Sequence, residues 1–480
     1  MHEPLPPLFL ERMKVLLGNE YEDFLNSYKE PPLRGLRVNS LKIEPKEFQR
    51  ICPFSLSPIP WAPEGFYYTG EARPGKYPYH AAGLYYLQEP SAMAVVSILD
   101  PKPGDLILDL SAAPGGKATQ AAVRMKNEGL LVANEIHPVR AKALSENIER
   151  LGITNALVVN HSPRELREKW PGRFDKVILD APCSGEGMFR KEEVSRKEWS
   201  DERVKICALR QEEILAEAAL LVKPGGKLIY STCTFNLEEN ERVIDRFLFH
   251  HPSWELLPIP VMEGFRPRFP LQGEQGAEKR EPSPSHGVEK PHAFHGITRL
   301  WPHLLPGEGH FIAFLQKPME EEVSFSTMKE NRRRGRLPNE ALLLFRQFLH
   351  ESIDPTWSHF PEDRLFLFGE HLYLLPTPAL SLKGVRTLRA GLHLGELRKN
   401  RFVPSHALSL ALPGDAFKNR LSYPASREEV FRYLRGETLP LEQEIKEGWV
   451  SIQVDGFPLG WGKGTSHLIK NHYPKGLRWF

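Results

Sequence analysis

Short apolar runs alternate with amphipathic segments through the middle of the chain. Apolar and polar positions recur at helical spacing in PVRAKALSENIERLG (138–152) and VKICALRQEEILAEAALLV (204–222). The runs between such segments have the length of buried strands: LILDL (106–110), LLVANE (130–135), ALVVN (156–160), KVILD (176–180) and KLIYSTCT (227–234). Alternating strands and helices predict an α/β domain with a parallel sheet covered on both faces.

The pattern changes on either side of this region. Apolar residues near helical spacing predict one helix over residues 8–28, and LRVNSLK followed by Pro45 predicts a strand and then a helix. Residues 53–80 are rich in proline and aromatic residues, which predicts a cap made mainly of loops. Beyond residue 340, an apolar helix, a hairpin pattern and the strand-like WVSIQVDGFPLGWG predict small C-terminal modules.

Composition marks the boundaries between these parts. Residues 271–296 are polar and poor in aliphatic side chains, which is typical of a flexible insertion. Residues 317–339 have the composition of a linker and carry the basic cluster NRRRGR. The predicted organisation is an N-terminal α+β domain (1–83), a central domain (84–316), the linker (317–339) and two C-terminal domains (340–408 and 409–480).

Composition also excludes several classes of protein. The 480 residues are 41% hydrophobic and 26% charged, as expected of an ordinary globular protein with several domains. Four cysteines without paired spacing disfavour a disulfide framework and a zinc site, and predict a reducing compartment, the cytoplasm. No apolar run approaches the roughly 20 residues that span a membrane, so we expect no membrane partner. The net charge of +2 is uninformative, but residues 456–480 contain four Lys or Arg and no acidic residue.

The first two strands of the central domain end in features of a ligand pocket. Asp109 ends the first strand, and the small-residue loop Ser111–Lys117 lets backbone N–H groups approach a ligand at a helix start. Glu135 ends the second strand and can accept hydrogen bonds from ribose hydroxyls. The absence of GxGxxG and GxxxxGK[ST] disfavours a dinucleotide or a triphosphate. An ordinary strand-to-helix turn is the alternative interpretation.

The fourth and fifth strands each lead into a cysteine. LDAPCSGEGMFRK contains Cys183 and YSTCT contains Cys233. Neighbouring strands lie about 4.8 Å apart, so the two thiols are expected to face one crevice at the carboxyl edge of the sheet. A disulfide, two unrelated buried thiols and half of a metal site are the alternatives, and no further metal ligand has suitable spacing.

These motifs resemble the Sun-type (NSUN) RNA 5-methylcytosine methyltransferases, and among them the bacterial RsmF-type enzymes of small-subunit ribosomal RNA. The resemblance rests on LRVNSLK, LYYLQEPSAM, DLSAAPGGK, LDAPCSGEGMFRK, YSTCTFNLEENE, RLWPHLLPGEGHF, GFPLGWGK and LIKNHYPKGLRWF. DAPCSG and STCT together are highly specific. The resemblance implies a Rossmann-like S-adenosylmethionine-dependent methyltransferase core at 84–316, an N-terminal domain that caps the site or binds RNA, and a PUA-like RNA-binding domain at 409–480.

The resemblance also implies roles for individual residues. Cys233 matches the nucleophile that bonds to C6 of cytosine, and Cys183 matches the cysteine that helps to release product. Asp180 matches the acidic residue that hydrogen-bonds N3, a role that requires a raised pKa, and Lys117 either orients the base or favours the thiolate. S-adenosyl-L-methionine is assigned to Ser111, Ala112, Ala113, Pro114, Gly115, Gly116, Lys117, Glu135, Ser162 and Asp180. Ser111 and Ser162 depart from the family, which commonly has Cys and an acidic residue there.

The expected substrate is 16S rRNA, either naked or within the 30S subunit, and the expected enzyme is a monomer. Lys463, Lys470, Lys475 and Arg478 are expected to contact phosphates, and Trp461, Tyr473 and Trp479 to stack on bases; a module whose aromatics form its own core is the alternative. Arg332–Arg334 and Arg336 are further candidate phosphate contacts. The competing functions are methylation of tRNA or another RNA, methylation of DNA cytosine, and a non-catalytic ribosome-assembly factor. DNA enzymes share the Pro182-Cys183 pair but lack STCT, and a pure binding factor needs neither thiol.

Overall fold

A computed structural model of the chain describes residues 4–69, 73–267, 293–319, 337–377, 380–441 and 445–479. The N-terminal region is an α+β unit built on a four-stranded antiparallel sheet. Its strands, whose bounds are given in the next sentence, have the order β2–β3–β1–β4. Its elements are α1 (Pro7–Leu17), α2 (Tyr21–Ser27), β1 (Arg34–Val38), α3 (Pro45–Ile51), β2 (Leu56–Ile59), β3 (Ala62–Tyr68), α4 (Pro78–Ala81) and β4 (Tyr85–Leu87).

Two expectations for this region are wrong. Residues 8–28 form two helices, because Gly18 takes a positive φ of 54° and a short 3-10 turn separates α1 from α2. Residues 53–80 contain the strands β2 and β3 in addition to loops, and β3 pairs with β1. The helix begun by Pro45 is confirmed, since the fixed φ of proline suits the first helical position.

The central region is a Rossmann-like α/β sheet with an antiparallel extension, which confirms the predicted fold class. Its elements are α5 (Met93–Leu99), β5 (Leu106–Asp109), α6 (Gly116–Arg124), β6 (Leu130–Asn134), α7 (Pro138–Arg150), β7 (Ala156–Val159), α8 (Pro163–Lys169), β8 (Phe174–Asp180), α9 (Glu193–Glu198), α10 (Asp201–Leu221), β9 (Val222–Thr232), α11 (Glu241–His250), β10 (Glu255–Leu256), β11 (Ile259–Pro260), β12 (Phe265–Arg266), β13 (Ala293–Phe294), β14 (Ile297–Leu300) and β15 (His310–Gln316). The parallel centre has the order β9–β8–β5–β6–β7, and β15, β14 and β12 continue it antiparallel beyond β9.

The strands are buried on both faces because apolar side chains alternate between two cores. Ile107 and Leu131 belong to the core that includes α5 and α6, whereas Leu108 and Val132 belong to the core that includes α10 and α11. This double burial explains why the strands read as continuous apolar runs in the sequence. Within the described ranges, no helix is long and apolar enough to cross a membrane.

The C-terminal region contains two further sheets. Its first part comprises α12 (Asn339–Ser352), β16 (Leu365–Phe368), β17 (His371–Leu374), β18 (Thr387–Ala390), β19 (Leu392–Arg398), β20 (Arg401–Pro404) and α13 (His406–Ala411). Its second part comprises β21 (Arg420–Tyr423), α14 (Glu428–Arg435), β22 (Leu439–Pro440), β23 (Gly448–Val454), β24 (Phe457–Gly464) and β25 (Leu468–Asn471). The sheets have the orders β16–β17–β19–β20 and β21–β23–β24–β25–β22, which confirms the predicted hairpin.

These C-terminal parts are joined to the rest of the molecule. β18 pairs antiparallel with β7 and so forms the edge of the central sheet, a long-range pairing that the sequence did not predict. Tyr433 and Val450 share a core with Leu36 and Phe66 of the N-terminal region. The C-terminal bound of the expected insertion at 271–296 is wrong, because Ala293–Phe294 forms a strand that pairs with Ile259–Pro260. Residues 271–292 and the arginines of 332–336 lie outside the described residues.

Candidate active site

The two cysteines at the ends of β8 and β9 meet at one edge of the sheet. The strands run parallel with Asp180 opposite Ser231, so the loops that follow them start side by side. Cys183 Sγ lies 3.4 Å from Cys233 Sγ, and both thiols are free and half-buried. A disulfide requires a bond of about 2.05 Å, so the structure rejects that alternative. Among the described residues, no cluster of three or more His, Cys, Asp or Glu side chains could hold a metal ion.

Two buried glutamates connect the loops that carry the cysteines. Glu186, from the Cys183 loop, accepts hydrogen bonds from Phe235 N at 2.8 Å and Asn236 N at 2.9 Å. Glu239, which follows Cys233, accepts from Ser184 N at 2.7 Å and Ser184 Oγ at 2.5 Å. Each carboxylate therefore belongs to one loop and holds the other. A carboxylate that accepts several donors satisfies buried groups that would otherwise be costly.

The threonines on either side of Cys233 take part in the same network. Thr232 Oγ1 donates to Asn240 Oδ1 at 2.6 Å, and Thr234 Oγ1 donates to Glu186 Oε2 at 2.8 Å. Gly187 N donates to Cys233 O at 2.8 Å. These bonds fix the backbone on both sides of the thiol, so Cys233 stands on a rigid turn.

Lys117 and Asp180 form an ion pair in the same crevice. Lys117 Nζ lies 2.7 Å from Asp180 Oδ2, and Ser231 Oγ donates to Asp180 Oδ1 at 2.8 Å. Burial raises the pKa of Asp180, but Lys117, His310 and Ser231 outweigh it, and the pKa of this carboxyl lies below its usual value. The raised pKa expected for Asp180 is therefore wrong. Burial lowers the pKa of Lys117, but Asp180, Cys233 and Asp109 raise it above its usual value.

The Cys183 thiol is held in its protonated form. Its hydrogen bond with Cys233, then burial, and then the negative charges of Cys233 and Glu239 raise the pKa of Cys183 well above its usual value. Cys233 also contributes to raising the pKa of Lys117. The two thiols therefore differ in environment despite their contact.

The loop after β5 offers unsatisfied polar groups at the start of a helix. Gly115 has a φ of 120°, and no side chain caps α6, so the first N–H groups of this helix have no side-chain capping partner. Asp109 Oδ2 and Glu135 Oε2 are buried without a hydrogen bond; Arg140 Nη1 lies 3.4 Å from Glu135 Oε2. These groups fit a cofactor that presents hydroxyl and ammonium donors together with a carboxylate.

The backbone of this loop is itself well supported. Ser111 N donates to Asp109 Oδ1 at 3.3 Å, Ala112 N donates to Asn134 O at 2.8 Å, and Arg140 Nη2 donates to Ala113 O at 2.9 Å. Asn147 Nδ2 donates to Pro114 O at 2.9 Å. The loop is therefore preformed. Burial and then the Asp180 charge raise the pKa of Asp109 to about 7.

Ser162 lies at the start of α8, where its side chain is hydrogen-bonded locally. It caps α8, because its hydroxyl accepts from Glu165 N at 3.3 Å and its backbone N donates to Glu165 Oε2 at 2.8 Å. This capping box occupies the side chain locally. The assignment of Ser162 to the cofactor stays a prediction.

Two of the aromatic residues expected to stack on RNA bases lie in cores instead. Trp461 is 2% exposed and packs on Phe348, and Tyr473 is 5% exposed and packs on Tyr433. Among the cations, Lys470 and Lys475 are exposed, and Lys463 Nζ lies 5.8 Å from the centre of the Trp449 ring. The alternative in which aromatics form the core of the module is correct for Trp461 and Tyr473.

Sequence reasoning did not select several residues of the site. Besides Glu186, Glu239 and Asp109, these include His310, which starts β15 beside β9 and is buried. Ser91 Oγ lies 2.9 Å from His310 Nδ1, and burial followed by the Lys117 charge lowers the pKa of His310 to about 4. The quoted segments LYYLQEPSAM and RLWPHLLPGEGHF contain Ser91 and His310, but no spacing rule links the two.

Family models match four segments of the chain. The model described as "16S rRNA methyltransferase RsmB/F" matches residues 96–316. The models for the N-terminal domain of 16S rRNA methyltransferase RsmF, the RsmF first C-terminal domain and the RsmF PUA domain match residues 5–90, 347–412 and 420–479.

Relatives and solved structures agree with these matches. Ribosomal RNA small subunit methyltransferase F of Vibrio campbellii is 32% identical over 98% of this chain and 97% of its own. The corresponding protein of Escherichia coli is 32% identical over 98% and 96%. A methyltransferase homologue from Pyrococcus horikoshii is 32% identical, with a TM-score of 0.54 over 65% of this chain and 94% of its own. NSun6 from the same organism, solved with SFG, shares the fold, with 22% identity and a TM-score of 0.52 over 66% of this chain and 99% of its own.

Proposed function

The chain belongs to the 16S rRNA methyltransferase RsmB/F family, and we propose that Cys233 bonds to C6 of the target cytosine during methylation. The protein is an S-adenosylmethionine-dependent RNA cytosine-C5 methyltransferase with a Rossmann-like core and 16S rRNA as its substrate. One observation carries the mechanism. Two free thiols lie 3.4 Å apart at the carboxyl edge of the sheet, beside the Lys117–Asp180 pair.

The cofactor is assigned to the pocket between β5 and β6. Glu135 would accept from the ribose, and the N–H groups at the start of α6 would donate to the carboxylate. When bound there, S-adenosylmethionine supplies a methyl group that is electrophilic because it is attached to a sulfonium. The loop residues Ser111–Gly116 keep the backbone close to this pocket, and Asp109 provides a further buried oxygen.

Adduct formation makes C5 nucleophilic. The Cys233 thiolate adds to C6, the S–C6 bond forms, and the electron pair of the C5–C6 double bond moves to C5. Lys117 lies in the same crevice, and Cys233 contributes to the raised pKa of this lysine. Because Asp180 is ionised and Lys117 is protonated, the pair presents one acceptor and one donor to the base. That pattern matches the N4 amino group and the N3 acceptor of cytosine.

Release requires that C5 lose its proton. Once C5 carries the methyl group, Cys183 takes the C5 proton, the electron pair of the C5–H bond forms the C5–C6 double bond, and the C6–S bond breaks with Cys233 leaving as thiolate. Cys183 must first lose its own proton to solvent. The pKa of Cys183 is raised by its hydrogen bond with Cys233, by burial and by the charges of Cys233 and Glu239. Bonding of the Cys233 sulfur to C6 removes the charge of Cys233 from these causes, which favours loss of the Cys183 proton at this stage.

RNA is held outside the sheet. The PUA match at 420–479 supports RNA binding by the C-terminal module, with Lys463, Lys470 and Lys475 as candidate phosphate contacts. We propose that the enzyme acts as a monomer, on the 30S subunit or on free 16S rRNA, and in the cytoplasm where bacterial ribosomal subunits are made. The target base must be unpaired or flipped to enter the crevice.

The test combines methyl-labelled S-adenosylmethionine with 30S subunits, free 16S rRNA, tRNA or duplex DNA. We expect label in 5-methylcytosine of 16S rRNA, either free or in the subunit, and none in DNA. Nucleoside analysis identifies the product, and protein without Cys233 is the control. Label in tRNA alone, or label at a position other than C5, would overturn the proposal.

A further inference from the structure

We propose that Glu239 positions Cys183 for the release step, whereas Glu186 positions Cys233 for adduct formation. The inference rests on the proposed function of the two thiols and goes beyond it, because it assigns separate steps to two buried carboxylates. Neither glutamate touches a reacting atom in this scheme. Both act through the loop that carries a cysteine, so they are positioning residues.

Glu239 is hydrogen-bonded, directly or through Gln211, to the residues on both sides of Cys183. Its carboxylate accepts from Ser184 N at 2.7 Å and Ser184 Oγ at 2.5 Å, which fixes the residue after the cysteine. It also accepts from Gln211 Nε2 at 3.1 Å, and the same Gln211 amide nitrogen donates to Pro182 O at 2.9 Å. The residues before and after Cys183 are thus tied to a single carboxylate on the neighbouring segment. Glu239 also accepts from the side chain of Asn236 at 2.6 Å, on the Cys233 side, but the backbone N–H that it binds is that of Ser184.

Glu186 makes the corresponding contacts on the side of Cys233. It accepts from Thr234 Oγ1, Phe235 N and Asn236 N through one oxygen, at 2.8–2.9 Å. Its other oxygen accepts from Trp199 Nε1 at 3.1 Å. These contacts hold the three residues that follow Cys233, and none of them reaches the chain next to Cys183.

The two carboxylates are equally buried, so they form a matched pair for comparison. Glu186 and Glu239 are both 0% exposed, and a glutamine in either place has nearly the same volume. An amide nitrogen cannot accept from the surrounding donors, so the loop that it faces must shift. Displacement of a reacting group by about 1 Å can reduce a rate about 100-fold. The backbone that loses its support differs between the two variants: that of Ser184, next to Cys183, for Glu239, and that of Phe235 and Asn236, after Cys233, for Glu186.

The steps that each variant affects are chemically distinct. In adduct formation the Cys233 sulfur bonds to C6 and the double-bond electron pair moves to C5. In release, deprotonated Cys183 accepts the C5 proton, the electron pair of the C5–H bond forms the C5–C6 double bond, and the C6–S bond breaks with Cys233 leaving as thiolate. A displaced Cys183 leaves the first step intact and blocks the second. A displaced Cys233 slows the first step, so that no adduct accumulates.

The experiment compares Glu239→Gln with Glu186→Gln by rapid quenching with 16S rRNA and S-adenosylmethionine. Adduct is counted on a denaturing gel and 5-methylcytosine by nucleoside analysis. For Glu239→Gln we expect adduct to form at the wild-type rate and to accumulate about 10-fold or more above the wild-type level, with product about 100-fold slower. For Glu186→Gln we expect slower adduct formation without accumulation. Glu213→Gln, on the exposed face of α10, should match wild type.

Equal slowing of both steps in the two glutamine variants, or accumulation in neither, would overturn the inference. Cys183→Ala is run in parallel, because failure of that variant to accumulate adduct would instead refute the proposed function. Thermal melting and S-adenosylhomocysteine binding verify the fold of each protein. If Glu239→Gln does not fold, Ser184→Ala removes only the hydroxyl contacts, and it must itself accumulate adduct for the inference to stand.

Discussion

Cys183 and Cys233 place their sulfur atoms 3.4 Å apart although 50 residues separate them in the chain. The parallel pairing of β8 with β9 brings them together, and Glu186 and Glu239 keep them there. The hydrogen bond with Cys233, burial and the charges of Cys233 and Glu239 raise the pKa of Cys183 well above its usual value. In the proposed mechanism, bonding of Cys233 to carbon removes one of these causes.

Replacement of either cysteine separates these steps. Cys183→Ala is expected to form the covalent enzyme–RNA adduct and to release product at least about 100-fold more slowly, because the proton acceptor at C5 is lost. The adduct is measured as a slow band on a denaturing gel. Cys233→Ala should give neither band nor product, and Cys207→Ala serves as the matched control on α10. Turnover by Cys233→Ala would show that another group is the nucleophile.

Asp180→Asn tests the ion pair with Lys117. The change removes the acceptor for the base and leaves the Lys117 charge without its partner at 2.7 Å. We expect kcat/KM to fall about 100-fold while S-adenosylmethionine binding changes less. The rate is measured with labelled cofactor across pH, and Asp415→Asn, in the exposed C-terminal part, is the control. An unchanged kcat/KM would exclude Asp180 from base recognition.

Asp109→Asn should change how stability depends on pH. The pKa of Asp109 is raised to about 7, so the folded state binds a proton that the unfolded chain releases above its usual value near pH 3.9. Below about pH 4 the stabilisation of the folded state by this group is fully present. As pH rises from about 4 to about 7, the free energy of unfolding falls by up to about 1.4 kcal/mol per pH unit. Hydrogen exchange of β5 and β6 amides measures this slope locally. The variant should lack it, and an identical slope in both proteins would contradict the assigned pKa.

The C-terminal cations should govern the salt dependence of RNA binding. Lys463→Gln and Lys470→Gln are each expected to weaken binding to any RNA sequence and to reduce the slope of log Kd against log salt by about 1. Fluorescence anisotropy across salt concentrations provides the slope. Lys102→Gln is the control, because Lys102 precedes β5 at the opposite edge of the sheet from the thiols. Equal slopes for all four proteins would place the RNA elsewhere.

The central fold and the pairing of the thiols could be predicted because both depend on local patterns. Strands buried on both faces give unbroken apolar runs, and the parallel order then makes the ends of the fourth and fifth strands neighbours. The sequence alone was therefore enough to predict that the ends of β8 and β9 are neighbours.

The remaining features depend on tertiary contacts that no pattern encodes. The prolines of residues 53–80 predicted loops where β2 and β3 form. The sequence around Trp461 also did not indicate that this side chain packs on Phe348 and Phe417. The lowered pKa of Asp180 depends on its ion pair with Lys117, which lies 63 positions earlier in the chain. Ser162 is occupied by the first turn of α8, which a sequence of Ser-Pro-x-Glu could have indicated.

The pairing of β7 with β18 has a consequence for how the enzyme is made. At about 5–20 residues per second, a ribosome needs roughly 10 to 50 seconds to extend the chain from one strand to the other. During that interval the apolar ALVV segment is a nascent edge without its final neighbour, open to association with other chains. The central sheet is thus completed late in translation, by the strand β18 from the C-terminal part of the protein.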